Sequence, residues 1–257
     1  MADKGYIEFA KVKKSFGEKV IYDDLTLSIQ RGESLTIVGG SGTGKSVLLK
    51  ILIGLLPADS GSIRLDGSEL VGLTEEKLFD VRKRISMMFQ GAALFDSLTV
   101  GENVAYPLRE QMDLSAADVA ARVAEKLALV DLTGSEDLLP SALSGGMKKR
   151  VALARAIVAE PECTLFDEPT AGLDPINTRR VDDLIRSIQR KQNMTVITVT
   201  HDLPSAYRIS DRIAMLNERR IIAVLSTDEF RSTPIKEIHD FVSAMDGEPE
   251  EEKTKER

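Results

Sequence analysis

Four glycines within eight residues, Gly39-Gly40-Ser41-Gly42-Thr43-Gly44-Lys45-Ser46, constrain this chain more than any other stretch. They follow the apolar run Leu35-Thr36-Ile37-Val38 and lead into Val47-Leu48-Leu49-Lys50-Ile51-Leu52, which reads as strand, loop and helix. Glycine backbone reaches conformations closed to other residues. Gly39, Gly40, Gly42 and Gly44 can therefore turn successive N–H groups toward one anion at the positive end of the new helix. A phosphate fits such a nest.

Lys45 then supplies a charge for terminal phosphates, and the Ser46 hydroxyl can join the coordination sphere of a Mg²⁺ that bridges them. Strand and helix context both suit a Walker A loop; the plain alternative is a glycine-rich turn that matches by chance. The expectation is a nucleoside triphosphate and its magnesium. The use made of that energy has to come from the rest of the chain.

With 257 residues the chain can bury a full core in one or two domains. Its net charge of -7 argues against non-specific nucleic-acid binding. The single cysteine, Cys163, lies inside an apolar run and cannot form an internal disulfide, so nothing points to an oxidising compartment. No apolar stretch approaches the roughly 18 to 20 residues of a membrane span, and no signal-peptide core follows Met1 to Gly5. A soluble, cytoplasmic protein is expected.

Strand-like alternation at Ile7 and Phe9, then at Leu25, Leu27 and Ile29, predicts a small β-layer ahead of the glycine loop. Phe16 within it either stacks on a nucleotide base or is simply core. Ile85 to Phe89 predicts a buried strand beside the glycine-loop strand, with Gln90 at its end, where function concentrates in α/β sheets. Gln90 can hydrogen-bond a metal-bound or attacking water. Thr99 and Glu102 form a capping box for a helix that Pro107 should bend or end. From Ser115 to Leu129 a helix is expected, with Val119, Val123, Leu127 and Val130 on one face.

Ser144 should cap the next helix, whose apolar stripe is Met147, Val151, Ala154 and Ile157/Val158; Lys148, Lys149 and Arg150 read most simply as its solvated face. Ser144, Gly145 and Gly146 together crown a second anion-binding helix N-terminus. The nucleotide held by residues 39–46 is already wrapped by its own loop, so this second site is better placed to serve a nucleotide on another copy. Farther on, Cys163 to Phe166 reads as a buried strand ending in Asp167 and Glu168. Neighbouring strand residues point opposite ways, which gives the two carboxylates different tasks. Asp167 suits the shell of Mg²⁺ and Glu168 suits polarising the attacking water; the bland reading is a solubilising turn. Met194 to Thr200 predicts a central parallel strand, and His201 follows it.

Leu143-Ser144-Gly145-Gly146 followed by a basic, Ala-rich helix resembles the signature motif of ABC ATPases, which pair head to tail. Met147 stands where most members have Gln. Ala171-Gly172-Leu173-Asp174 resembles the family's D-loop, which crosses between the two copies. The resemblance implies that Asp174 belongs to the nucleotide site and that His201 is the switch histidine at the γ-phosphate. It implies an α/β P-loop NTPase fold with a RecA-like core, an antiparallel β-layer and a helical subdomain inserted at about 92–160. The ATPase domain would then run over 6–240. The remaining 241–257 form an acidic tail, with Glu248, Glu250, Glu251 and Glu252, expected to be disordered or docked on a partner.

Residues 93–110, with Met147 in the signature, are similar to the Mla-type, MCE-associated ATPases that drive phospholipid transport. That likeness implies a membrane permease and an MCE lipid-binding protein as partners, and a place on the inner face of the membrane. An importer for another solute is the alternative, with a non-transport ABC ATPase behind it. A P-loop GTPase is disfavoured, since its guanine-reading Asn-Lys-x-Asp is absent. Residues 91–111, apolar at Ala92, Ala93, Leu94, Phe95 and Leu98, are expected to receive the permease, the plain reading being that they pack the inserted helices.

Overall fold

The computed structural model describes residues 5–246. Strands β1 (Ile7–Phe16) and β2 (Lys19–Ile29) pair antiparallel, and β3 (Ser34–Val38) runs into the glycine loop and α1 (Lys45–Leu52). Next come β4 (Ser60–Leu65), the short β5 (Ser68–Glu69), α2 (Glu75–Arg84) and β6 (Ile85–Met88). Three helices follow: α3 (Val100–Gln111), α4 (Ala116–Leu129) and α5 (Gly145–Ile157). The chain then alternates through β7 (Cys163–Asp167), α6 (Pro175–Gln192), β8 (Thr195–Val199), α7 (Leu203–Ile209), β9 (Arg212–Asn217) and β10 (Arg220–Ser226), and reaches α8 (Thr227–Ser232) and α9 (Lys236–Asp246).

Two sheets result. One is antiparallel, in the order β2-β1-β4-β5; the other has the order β10-β9-β3-β8-β7-β6, parallel except at β10. Every residue of β3, β7 and β8 is buried, as near-continuous apolar runs covered on both faces should be. Helix α1 lies between the sheets, its Leu48, Leu49 and Leu52 in one cluster with Ile7, Phe9 and Leu25 on one side and Leu35, Leu165 and Ile197 on the other. On the far face α3, α4 and α5 share a second cluster with Val181, Ile185 and Val196.

The parallel strands all end at one edge, which brings the residues after β3, β6, β7 and β8 together. Strand β6 is not beside β3, as the sequence suggested. It pairs with β7 at the sheet's edge, because β8 and β9 occupy both sides of β3. Its end still reaches the same rim. Helix α3 carries the expected capping box at Thr99 and Glu102, but it continues through Pro107 to Gln111. The proline removes one N–H from a ladder that packing against α4 and α5 holds in place. Helix α9 crosses the expected boundary at 240, since Ile238 is buried with Phe230 and Leu203, and Phe241 and Val242 pack against them. The acidic residues from 247 onward lie outside the described residues.

Candidate nucleotide site

The glycine loop owes its path to two close approaches. Gly44 has φ +106°, and a side chain there would come within 2.5 Å of Ile21 and 3.2 Å of the Tyr22 ring. The Tyr22 hydroxyl, buried with its ring, donates to the Gly44 carbonyl at 2.5 Å. A Cβ on Gly39 would strike the Leu216 carbonyl at 2.3 Å, so β9 packs directly against the start of the loop.

The loop forms one wall of a cavity of about 680 Å³. Phe16, Gly39, Gly40, Ser41, Gly42, Gly44, Lys45, Ser46, Gln90, Glu168 and His201, all expected at the site, line it. Thr43 braces the loop through its hydroxyl, which donates to the Gly40 carbonyl at 2.9 Å. Lys45 folds back across the loop, donating to the carbonyls of Gly39 at 2.8 Å and Gly40 at 2.9 Å. Burial pulls its ammonium down from the usual lysine range, while the charges of Glu168 and Asp167 oppose that shift.

The two carboxylates turn to different partners. Asp167, the last residue of β7, accepts from the Ser46 hydroxyl at 2.7 Å. Burial pushes its carboxyl up, and the Ser46 hydrogen bond pulls it back. Glu168 turns away with φ +50°, a left-handed conformation unusual for a residue with a side chain. Its N–H donates to Val199 at 2.9 Å, and its carboxylate meets His201 Nδ1 at 2.9 Å and the Thr200 hydroxyl at 3.1 Å. Thr200 was not anticipated; its place beside His201 at the end of β8 was the available signal.

Among the described residues no group of three or more His, Cys, Asp or Glu is arranged to hold a metal. The hydroxyl–carboxylate pair of Ser46 and Asp167 is nevertheless an all-oxygen partial shell. That suits a hard cation such as Mg²⁺, which takes few protein ligands and completes its octahedron with phosphate and water.

Phe16 is 46 % exposed at the cavity mouth, not core. Ser144, Gly145, Gly146 and Asp174 lie outside the cavity wall. The Ser144 hydroxyl accepts from the Met147 N–H at 3.3 Å and caps α5. Asp174 caps α6 through the N–H groups of Ile176 and Asn177, both at 3.0 Å. A side chain on Gly146 would approach Asn177 to 3.0 Å, so these two corners adjoin each other.

The solvated-face reading of Lys148, Lys149 and Arg150 fails for two of the three. Lys149 and Arg150 are buried; Lys149 donates to the carbonyls of Gln90 and Glu168, and Arg150 to those of Val130 and Asp131. The signal was the spacing Gly146, Lys149, Arg150, Leu153, Ala154, which puts all five on one buried stripe. Arg155 likewise donates to Ala92 at 2.7 Å and to Ala93 at 2.8 Å. Asn103, fully buried in α3, holds the same loop by accepting from the Phe95 N–H at 2.8 Å and donating to the carbonyls of Phe95, Leu98 and Thr99.

Residues 22–171 match the ABC transporter family. The chain is 38 % identical over 239 residues to the intermembrane phospholipid transport system ATP-binding protein MlaF of Escherichia coli K12, covering 93 % of this chain and 89 % of that protein. It is 41 % identical over 229 residues to the probable ribonucleotide transport ATP-binding protein mkl of Mycobacterium tuberculosis H37Rv, covering 87 % of this chain but only 64 % of that protein's length. The dimeric post-hydrolysis structure of the ATP-binding cassette MJ0796 bound to ADP and Pi superposes with a TM-score of 0.79 at 30 % identity, covering 86 % of this chain and 98 % of that one. With the glycine loop, the two strand-end carboxylates and the capped helix at Ser144 in place, the chain belongs to the ABC transporter family of ATP-binding cassettes.

Proposed function

We propose that this chain hydrolyses ATP as the motor of a transporter, working as a head-to-tail pair on a membrane permease that moves phospholipid between membranes. The observation that carries the ATPase reading is the convergence of Lys45, Ser46, Glu168 and His201 on one cavity, with Asp167 bonded to Ser46 beside it. The loop N–H groups and Lys45 hold the phosphates, and Phe16 offers a face for the base. Ser46 and Asp167, with Gln90 nearby, would hold Mg²⁺, which would supply charge neutralisation at the phosphates.

Glu168 polarises the attacking water and takes its proton. As the water oxygen bonds to the γ-phosphorus, the bond to the bridging oxygen breaks, and ADP leaves with that electron pair. His201 and Thr200 fix the carboxylate's orientation through its two oxygens. Glu168→Gln should keep ATP binding yet lose roughly 10²-fold or more in turnover, because an amide cannot take the proton. The variant should also accumulate as an ATP-bound dimer. Near-parental turnover in the permease-bound complex would remove Glu168 from this role.

Likeness to MlaF along almost the whole of both chains favours phospholipid as cargo, with an MCE protein in the complex and the chain on the inner face of the membrane. The relationship to mkl, named for ribonucleotide transport, favours the same motor on a permease for another solute. Purification from native membranes separates the two. Co-purified permease, MCE protein and phospholipid support the first reading, and a soluble-substrate receptor supports the second.

The permease would sit in the groove of about 500 Å³ walled by Leu55, Phe89, Phe95, Tyr106, Pro107 and Arg155. Phe95 and Tyr106 are both over 40 % exposed, and their ring centroids lie 4.9 Å apart. Ala92 and Leu94 do not contribute in the way the sequence suggested, since Ala92 is buried and Leu94 packs on the helical cluster. Phe95→Ala should weaken permease association and lipid movement while ATP affinity of the isolated chain holds. Normal association would place the docking surface elsewhere.

A further inference from the structure

We propose that Lys149 is a positioning residue that ties the helix serving the partner's nucleotide to the hydrolytic centre of its own chain, and so couples the two sites of the pair. The inference rests on the ATPase reading above and adds a residue to it. An ammonium has three donors and no acceptor. In this fold two of them go to carbonyls on separate elements, that of Gln90 after β6 and that of Glu168 after β7, the latter at 3.1 Å. Lys149 is only 6 % exposed and its bond to Glu168 is buried, so losing it would leave the Glu168 carbonyl with poor access to water, while the half-buried bond at Gln90 would loosen.

The Glu168 end matters because that residue holds a left-handed backbone, φ +50°, and such conformations persist where surrounding contacts over-determine them. Its N–H is fixed by Val199, and its carbonyl by Lys149 and the Ala171 N–H at 3.2 Å. The Gln90 end matters because the same helix continues the grip: Arg155 holds the carbonyls of Ala92 and Ala93, both left-handed at φ +64° and +48°. Helix α5 thus grips three of the four carbonyls from Gln90 to Ala93 and one at the hydrolytic glutamate.

Ser144 stands at the N-terminus of the same rigid helix, about 7.5 Å along its axis from Lys149 at the usual rise per residue. A shift of α5 when Ser144 to Gly146 engage the partner's γ-phosphate would reach Gln90 and Glu168 of the first chain through one side chain. The contact joins two halves of the site that belong to different nucleotides.

The test compares the full chain with Lys149→Met and Lys149→Arg, reading equilibrium binding of a fluorescent ATP analogue, steady-state hydrolysis against ATP concentration, and far-UV circular dichroism. Lys149→Met should bind the analogue within about twofold of the parent, lose about tenfold in kcat and show a Hill coefficient falling toward one. Lys149→Arg keeps the donors and should restore most of kcat and of the Hill coefficient. Parental kcat and Hill coefficient in Lys149→Met overturn the proposal, as does an equal loss in Lys149→Arg. If Lys149→Met does not fold, Lys149→Gln, which can serve one carbonyl, is measured in the same way; unchanged kinetics overturn the proposal, and reduced kcat at constant affinity supports it. A parent chain that neither binds nor hydrolyses ATP overturns the ATPase reading itself, a result distinct from any failure confined to the variants.

Discussion

The strand-end site and the α5 N-terminus are both glycine-rich helix starts, but only the first is joined by a lysine, two carboxylates and a histidine of this chain. Lys45, Ser46, Asp167, Glu168 and His201 are bonded to the loop or to one another around one cavity. Ser144, Gly145 and Gly146 make a capped, open helix end next to Asp174 and the 82 % exposed Ile176, away from that cavity. A site with its carboxylates, lysine and histidine in one chain can bind a nucleotide. In the proposed pair the α5 end, which adds neither a lysine nor a histidine, would complete a nucleotide held by the other chain. That division is what a head-to-tail pair needs.

The largest effect is expected from removing the lysine charge at the strand-end site. Lys45→Ala should weaken ATP binding roughly a hundredfold, because a charge-assisted contact to phosphate is lost. Titration with a fluorescent ATP analogue checks this, and affinity within threefold of the parent would contradict it.

A smaller effect is expected between the two halves. Asn103→Ala removes a side chain that satisfies four polar groups of the 95–99 turn, and should destabilise the chain by about 2 kcal/mol. Denaturant unfolding reads the change. The loop that follows Gln90 should also become more open to proteolysis, while Lys45 and its nucleotide affinity stay in place.

Ser144→Ala sharpens the contrast from the other side. Loss of the cap on α5 should cost about 1 kcal/mol of stability. Nucleotide affinity of the isolated chain should hold while turnover of the pair falls. Equal loss of affinity and turnover would place Ser144 at its own chain's nucleotide.

The smallest effect lies at the opposite edge of the sheet. Arg84, with Arg31 and the Tyr6 hydroxyl, holds the Glu162 carboxyl down at about 2. A carboxyl whose folded value lies below its ordinary 4.5 stabilises the fold above that value and loses the contribution as pH falls toward 2. Glu162 is 38 % exposed, so solvent screens much of this. Thermal melting between pH 5 and 2.5 should drop less steeply in Glu162→Gln than in the parent, with ATP affinity at neutral pH unchanged. Parallel melting curves would show that Glu162 contributes no pH-dependent stability.

The complete half was the legible one. A glycine run between two apolar segments, and acidic or histidine residues closing apolar strand runs, are local patterns, and the sheet edge gathered them without further information. The place of β6 was not legible, because strand order depends on which neighbours β3 takes, and β8 and β9 arrive more than a hundred residues later. Lys149 and Arg150 read as surface because charged residues usually are. Their burial depends on carbonyls contributed by distant elements, Gln90 and Glu168 for one and Val130 and Asp131 for the other. Helix α9 ran past its expected limit for a similar reason, since Phe241 and Val242 find their cover on α7 and α8 residues.

In the proposed pair a nucleotide is held by Lys45 of one chain and completed by Ser144 of the other. Mixing Lys45→Ala with Ser144→Arg leaves each mixed pair one intact composite site and one doubly damaged site. Nucleotide trapped per pair, with ATPase activity alongside, is then compared with either variant alone. One tightly held nucleotide per mixed pair is expected, with activity above both parents of the mixture. Mixed pairs that form and trap no more nucleotide than the unmixed variants would contradict it.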